Sequence, residues 1–499
     1  LISTNKNEYT EQSVDTKPAK FRDEGDVMYL EKGVADPVHT QAGVSARLDR
    51  LPPTRYFLGL VARIAMGGWF EFYELFMAAY LALGLIHSGM YRATTESLFD
   101  VNGFASFLGS FFGGMFIGTV ALGGFSDRFG RRSVFTFAMF AYSIATLVAA
   151  FQNDPLAMDF WRFWAGVGIG VQLITVDTYI SELTPYRTRG KYMAFSILII
   201  LTSVPTVAVL SWLLVPHHVW GLDGWRWVMI VGSAGGVLIW FVRRGLPESP
   251  RWLESKGRTA EADAIVTEME RNVVAQTRRP LPAPALHAAD PEAQQEGRGS
   301  FGEMWKRPYL SRTVMLSVFN FCQTFGVYGF GSWVPVLLYS KGITLTHSLL
   351  YTMVIACATP LGALGAIACA ERFQRKWQLV GCALVVAVFG VLFGFVREPA
   401  LILVCGSAVT IANNWLIGIF HTYQAELYPT RIRARAVGFV FSWSRFSSIF
   451  VGFWVAALLK HFGVPAVFAL ISSAMFVIVV MVGAFGPRTN GIRLEELSQ

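Results

Sequence analysis

The chain has 499 residues; 53% are hydrophobic before its 47 glycines are counted, and only 15% are charged. A water-soluble fold of this size cannot bury so large an apolar share, and soluble domains carry about 25% charged residues. Soluble enzymes, nucleic-acid binders and disordered proteins are excluded, and the formal charge of +8 reads as basic loops beside a bilayer.

Residues 1–55 are polar and read as a disordered cytoplasmic N-terminal tail without a cleavable signal segment. Crossing a bilayer takes about 20 apolar residues. Such runs fall near 57–86, 103–125, 133–152, 158–181, 191–215 and 225–243. Six more fall near 312–340, 348–370, 378–396, 399–424, 436–459 and 465–486. Barrel strands would be about ten residues long and alternating, so these runs are helices. The expected fold is an all-α membrane protein of twelve transmembrane helices in two pseudo-symmetric six-helix bundles, 56–244 and 312–487. Between them, 245–311 reads as a cytoplasmic linker. Its residues 248–275 look helical, 279–299 are rich in Pro, Ala and Gln, and Phe301, Met304 and Trp305 suit a short interfacial helix. Residues 488–499 complete the chain as a cytoplasmic C-terminal tail.

The five cysteines, Cys322, Cys357, Cys369, Cys382 and Cys405, lie in apolar runs and suit neither a disulfide framework nor a metal site. No nucleophile–base constellation, metal-ligand cluster or phosphate loop is present in the sequence, so no enzyme, metal or cofactor is expected.

The short loops alternate in charge. Arg128, Arg131 and Arg132 follow the second run, and Arg187, Arg189 and Lys191 follow the fourth. Arg372, Arg375 and Lys376 follow the eighth, and Arg431, Arg433 and Arg435 follow the tenth. The opposite side carries only Arg92, Arg226, Lys341, Arg397 and Lys460. The asymmetry puts both termini and the linker in the cytoplasm. The chain also repeats itself. Asp127–Arg132 (DRFGRR) aligns with Glu371–Lys376 (ERFQRK), and Tyr179–Arg189 aligns with Tyr423–Arg433, both at a shift of 244 residues, from 127 to 371 and from 179 to 423. A duplicated bundle of this kind suits alternating access to a site at the membrane midplane.

At these residues the chain resembles the major facilitator superfamily. The string GGFSDRFGRR from Gly123 to Arg132 matches its loop signature. Arg162 with Gly166, Gly168 and Gly170, then ELTPYRTRG from Glu182, is similar to the sugar-porter type of fourth span. PESPRWL from Pro247 follows the sixth run as it does in those proteins, and Glu71-Phe-Tyr-Glu74 resembles the carboxylate motif of metabolite:proton symporters. The resemblance covers about residues 48–497, and within it the pattern is nearest to bacterial niacin and organic-anion transporters. It implies a secondary transporter in a bacterial inner membrane. The partners it implies are a small-molecule substrate, a proton and the lipid bilayer, with no nucleic acid. The transporter would act as a monomer.

Three sets of residues could carry transport. The first is a cytoplasmic gate: Gly123, Asp127, Arg128, Arg131, Arg132, Glu182, Arg187 and Arg189 in the first half, and Glu371, Arg372, Arg375, Glu426, Arg431 and Arg433 in the second. Topogenic loops need the arginines but not the carboxylates. Ion pairs between the halves would hold the cytoplasmic side shut; Gln374 replaces the glycine of the first copy and loosens the second gate.

The second set is proton-coupling. Glu71 and Glu74 lie on one helical face, and a charge inside a bilayer is a functional hypothesis by default. By resemblance, Glu74 takes the position of the sugar porters' proton-binding aspartate and Arg162 that of its arginine. The structural alternative is a plain salt bridge.

The third set is substrate-binding: Arg445, Gln323, Tyr328, His421, Gln172 and Asn413. A lone buried arginine is costly unless an anion meets it, and organic-anion transporters carry an arginine at the position of Arg445. Tyr328 stands where sugar porters place an asparagine, which weakens a polyol reading. His421 serves equally as packing or as a proton or anion group, and Asn413-Asn414 suits interhelical hydrogen bonding. The resulting expectation is proton-coupled import of a small organic anion, an aromatic or other monocarboxylate such as nicotinate. A sugar or polyol symporter, a drug or metabolite exporter, and a transport-inactive sensor are the alternatives.

Overall fold

Short polar residues set where each helix begins. Asp154 caps α6 (Pro155–Leu183) by accepting the amide of Ala157, and Pro155 fits the first turn, where an N–H would have no partner. Before it come α1 (Val44–Asp49), α2 (Arg55–His87), α3 (Phe104–Ala121), α4 (Phe125–Phe129) and α5 (Arg131–Ala149). After it come α7 (Arg189–Leu201), α8 (Ser203–Leu214), α9 (Gly224–Ser233) and α10 (Gly235–Val242). The linker forms α11 (Pro250–Ser255) and α12 (Thr259–Thr277). The second half contains α13 (Tyr309–Thr324), α14 (Val334–Ser340), α15 (Leu345–Ala356), α16 (Thr359–Cys369), α17 (Arg375–Phe395), α18 (Pro399–Glu426) and α19 (Thr430–Phe485). This computed structural model describes residues 43–489 except 98, 123, 243–244, 285–299 and 370–371, and the backbone alone at 174, 240, 430, 431 and 434. The expected roles of Gly123, Glu371 and the Arg431 side chain, and most of both tails, fall outside the described residues.

Nine helical stretches among the described residues are long and apolar enough to cross a membrane. Arg435–Phe485 is 51 residues long, about 77 Å at 1.5 Å per residue, which is more than twice a hydrocarbon core of about 30 Å. Gly463 interrupts it with φ 75°, a left-handed conformation that glycine alone adopts without strain. The run at 225–243 bends at Ala234, between α9 and α10. The run at 191–215 breaks at Thr202, three residues before Pro205. The run at 312–340 contains a π-turn, Phe325–Phe330, ahead of Pro335. Asn413 donates its amide to the Gly326 carbonyl at 2.9 Å, meeting a backbone group of that turn.

Close packing of α3 on α6 rests on glycine. A Cβ at Gly114, Gly118, Gly166 or Gly170 would meet a carbonyl oxygen of the facing helix at 1.9, 2.2, 2.1 or 2.3 Å. This brings Arg162 against α3. The halves themselves meet through aromatic rings toward the helix ends remote from the Arg-rich loops: Phe104 with Trp333 at 5.4 Å and Phe99 with Phe453 at 5.2 Å.

Residues 44–55, expected to finish a disordered tail, instead include a docked helix. Arg47 of α1 is 6% exposed and reaches Glu270 at 2.8 Å and Asp263 at 3.1 Å on α12. Arg50 joins Glu270 at 2.8 Å, and Asp49 meets Arg251 at 2.7 Å. Burial alone would push the Glu270 carboxyl up; hydrogen bonds and charge from Arg47 and Arg50 outweigh it and hold that carboxyl below its ordinary range. Polarity of the tail was legible, but its acidic partners lie more than 200 residues away in sequence.

Candidate functional site

The loop motifs fold into braces. Gly130 turns the chain at φ 94° between α4 and α5, and a Cβ there would meet Glu248 at 2.5 Å. Glu248 then accepts the amides of Arg131 and Arg132 at 2.9 and 3.1 Å, an anion at a helix N-terminus. Arg131 grips Glu182 with two bonds of 2.9 and 2.8 Å and also reaches Asp127 at 2.8 Å. In the second half Arg375 pairs with Glu426 at 3.1 Å, the same pair shifted by 244 residues, from 131 to 375 and from 182 to 426. Arg433 donates to the Tyr428 carbonyl, Arg128 lies on Phe129, Arg189 lies on Tyr186, and Arg187 and Arg372 are exposed. These ion pairs join helix ends of one half, where the sequence suggested contacts between halves. The reason is geometric: the partners come from the two turns that flank one pair of helices.

Inside the apolar region, Glu74 and Arg162 meet at 2.9 Å with neither side chain exposed. Thr146 donates to the same carboxylate oxygen at 3.0 Å. The Arg162 guanidinium lies over the rings of Phe111 and Phe107, at 4.4 and 4.9 Å. Its Nε and Nη2, and the second oxygen of Glu74, have no partner. Asp159, one turn before Arg162, accepts from Tyr91 at 2.6 Å and is 6% exposed. Sequence reasoning passed over Asp159 because it stands at the margin of its apolar run, although an acid there is the same signal that singled out Glu74.

Arg445 is 7% exposed. Its Nη1 donates to the Tyr328 hydroxyl at 3.1 Å, its guanidinium lies over Phe441 at 4.9 Å, and its Nε has no partner. Tyr328 reaches Phe112 of the first half, ring centroids 4.6 Å apart. His421 packs on the other partner of Arg445, Phe441, at 5.6 Å. From the first half, buried Glu71 and exposed Asp177 complete the ring of charges, both in electrostatic reach of one another, with Arg445 in reach of Glu71. Asp177 was also missed. Gln172 is fully buried with both amide atoms unpartnered, beside Gly67. Gln323 donates to Asn320 at 3.1 Å and leaves its own carbonyl oxygen free. Asn413 spends a donor on the π-turn, leaves its Oδ1 without a partner, and lines a cavity with Asn414.

The geometry has counterparts. The profile of the sugar (and other) transporter family matches residues 60–499. The Bacillus subtilis protein YyaJ, provisionally named as a metabolite transport protein, is 34% identical over 91% of this chain and 97% of its own length. The niacin transporter NiaP of Acinetobacter baylyi is 26% identical over 91% of this chain and 99% of its own length. The xylose transporter XylE of E. coli, in a partially occluded inward-open conformation, superposes with a TM-score of 0.70 at 20% identity, covering 88% of this chain and 100% of that one. With an ion pair buried among apolar helices and loop braces built twice, the chain belongs to the sugar (and other) transporter family of the major facilitator superfamily and is a multi-pass membrane transporter.

Proposed function

We propose that this transporter imports a small organic anion, an aromatic or other monocarboxylate such as nicotinate, together with a proton. The chain crosses a bacterial plasma membrane twelve times, with both termini cytoplasmic, and works as a monomer by alternating access. Glu74 carries the proton and Arg162 responds: an ionised Glu74 holds the guanidinium, and protonation releases it. The loop braces bias which side is open.

The observation that carries the substrate class is Arg445. Among the described residues its side chain hydrogen-bonds only the Tyr328 hydroxyl, and its Nε has no partner. A guanidinium so placed suits a carboxylate held by two parallel charge-assisted bonds. The niacin transporter NiaP, similar along nearly its whole length, supports the reading.

The test is binding of a carboxylate and its amide to the purified protein and to Arg445→Ala. Losing one partner of a buried charged pair costs about 2–5 kcal/mol, so the acid should bind at least about tenfold more weakly to the variant. The amide should bind poorly to both. Equal losses for acid and amide, or unchanged acid binding in a folded variant, overturn the anion reading. Binding confined to sugars would favour a sugar symporter, which the same proton pair would serve and which the arabinose-proton symporter of Bacillus subtilis, 27% identical over 79% of this chain, keeps in view.

A further inference from the structure

The ionisable groups around Arg445 are divided between the two halves by type, acids on one and bases on the other. The first half contributes Glu71 and Asp177, from α2 and α6. The second contributes Arg445 and His421, from α19 and α18, with Tyr328 between. Glu71 is 2% exposed, and its Oε2 has no hydrogen-bond partner. Arg445 is 7% exposed and keeps an unpartnered Nε. Asp177 and His421 are exposed although each faces a charge inside the bundle, Glu71 for the one and Arg445 for the other. Ionisable residues of membrane-spanning helices that are exposed beside a buried charge suit a water-filled space inside the bundle better than lipid. The two walls close on each other at Phe112 and Tyr328, 4.6 Å apart.

A simple monoanion engages only one wall of this space. Its carboxylate satisfies Arg445 but leaves the unpartnered oxygen of Glu71, and Asp177 near it, unmatched. A molecule with a cationic nitrogen as well as a carboxylate satisfies both walls. We propose that the site takes a zwitterion, its carboxylate on Arg445 and its cationic nitrogen at Glu71 and Asp177, so that the substrate itself links the halves. The inference rests on the reading of Arg445 as a carboxylate anchor and adds a second pole to it. It also assigns Asp177 to substrate recognition. A cross-link made of two charge contacts draws the halves together only when both are made, which favours closure around a full substrate over closure around a fragment.

Three ring compounds of similar size separate the poles at pH 7: benzoate carries only the anion, N-methylnicotinamide only the cation, and N-methylnicotinate both. Calorimetric binding to the purified full chain should rank N-methylnicotinate about tenfold or more above benzoate, with N-methylnicotinamide weakest. Asp177→Asn should remove at least about fivefold of the zwitterion's advantage and leave benzoate unchanged or tighter. Asp177→Glu, which keeps the charge, should restore most of it. Benzoate binding as tightly as N-methylnicotinate overturns the proposal without any variant, as does an equal loss for both compounds in Asp177→Asn. In either case a benzoate affinity that still falls in Arg445→Ala leaves the anion reading standing. If a folded Arg445→Ala binds both acids normally, the anion reading falls with it.

Discussion

Tyr91 donates to Asp159 at 2.6 Å, and that bond fixes a second carboxylate one helical turn from Arg162. Two acids then act on a single guanidinium, Glu74 by direct contact and Asp159 through space. Tyr73 and Tyr142 also face Glu74, and Asp154 faces Asp159 from the helix cap. Ionising both acids would leave one negative charge uncompensated, which is costly where water is absent. If Glu74 carries the proton as proposed, Asp159 is a second acid acting on the arginine that answers it. Asp159→Asn leaves Arg162 to Glu74 alone. The pH profile of proton-driven uptake should shift acidward by about one unit, an amount equal to a differential interaction of about 1.4 kcal/mol. An unchanged profile would remove Asp159 from the coupling machinery.

Glu74→Gln should abolish accumulation against a gradient and leave downhill exchange partly intact. The amide mimics the protonated acid and cannot cycle. Counterflow in proteoliposomes checks the exchange, and flux driven by an imposed pH gradient checks the coupling. Accumulation by the variant would move the proton site to Glu71.

The loop braces differ in burial, and the difference ranks their variants. Asp127 is 74% exposed at its pair with Arg131, whereas Glu182 is 19% exposed and held by two bonds. Exposed pairs contribute about 0–1 kcal/mol. Glu182→Gln should slow transport several-fold more than Asp127→Asn, with equilibrium binding little changed in either. A larger effect from Asp127→Asn would point to a partner for Asp127 in another conformation.

Gly166→Val should destabilise strongly. Its Cβ would lie 2.1 Å from the Phe111 carbonyl oxygen, and backbone cannot move aside as a side-chain tip does. Overpacking usually costs about 1–3 kcal/mol, and this contact belongs at or above the upper end. Gly113→Val, on the facing helix α3, meets open space, so its Tm in detergent should stay close to that of the unaltered protein.

The contribution of Glu270 to the docked α1 should depend on pH. Its carboxyl is held below the ordinary range by Arg47 and Arg50. A lowered folded value means that the contribution is fully present above the unfolded value of about 4.3 and is lost as pH falls through the lowered one. The protection of residues 44–50 against hydrogen exchange, taken relative to the intrinsic rate at each pH, should stay high from neutrality down to about pH 5 and fall below about pH 4. In Glu270→Gln it should be low throughout.

What could be read in advance follows from how local each signal is. Glu74 and Arg162 stood out because a charge inside an apolar run is conspicuous, and the repeat at 244 residues already pointed to paired loops. Arg131–Glu182 and Arg375–Glu426 obey that shift in space as well. The bend at Gly463 was not legible, since one glycine between two apolar runs gives no indication that its φ is positive. Asp177 sits in an apolar run as plainly as Glu71 does, but only the fold brings it to that acid. The partition of acids to one half and bases to the other emerges only when both halves are assembled.

The contacts of α1 also carry an order of events. Val44 bonds Glu254, 210 residues later, and Arg47 bonds Glu270, 223 residues later. A ribosome adding about 5–20 residues per second finishes those partners roughly 10–45 s after α1 has emerged. By then α2 through α10 have been synthesised and the second half has not begun. The docking of α1 is thus a clasp that closes on a finished first bundle, and a chain that stalls before residue 270 leaves Arg47 and Arg50 without the carboxylate they share.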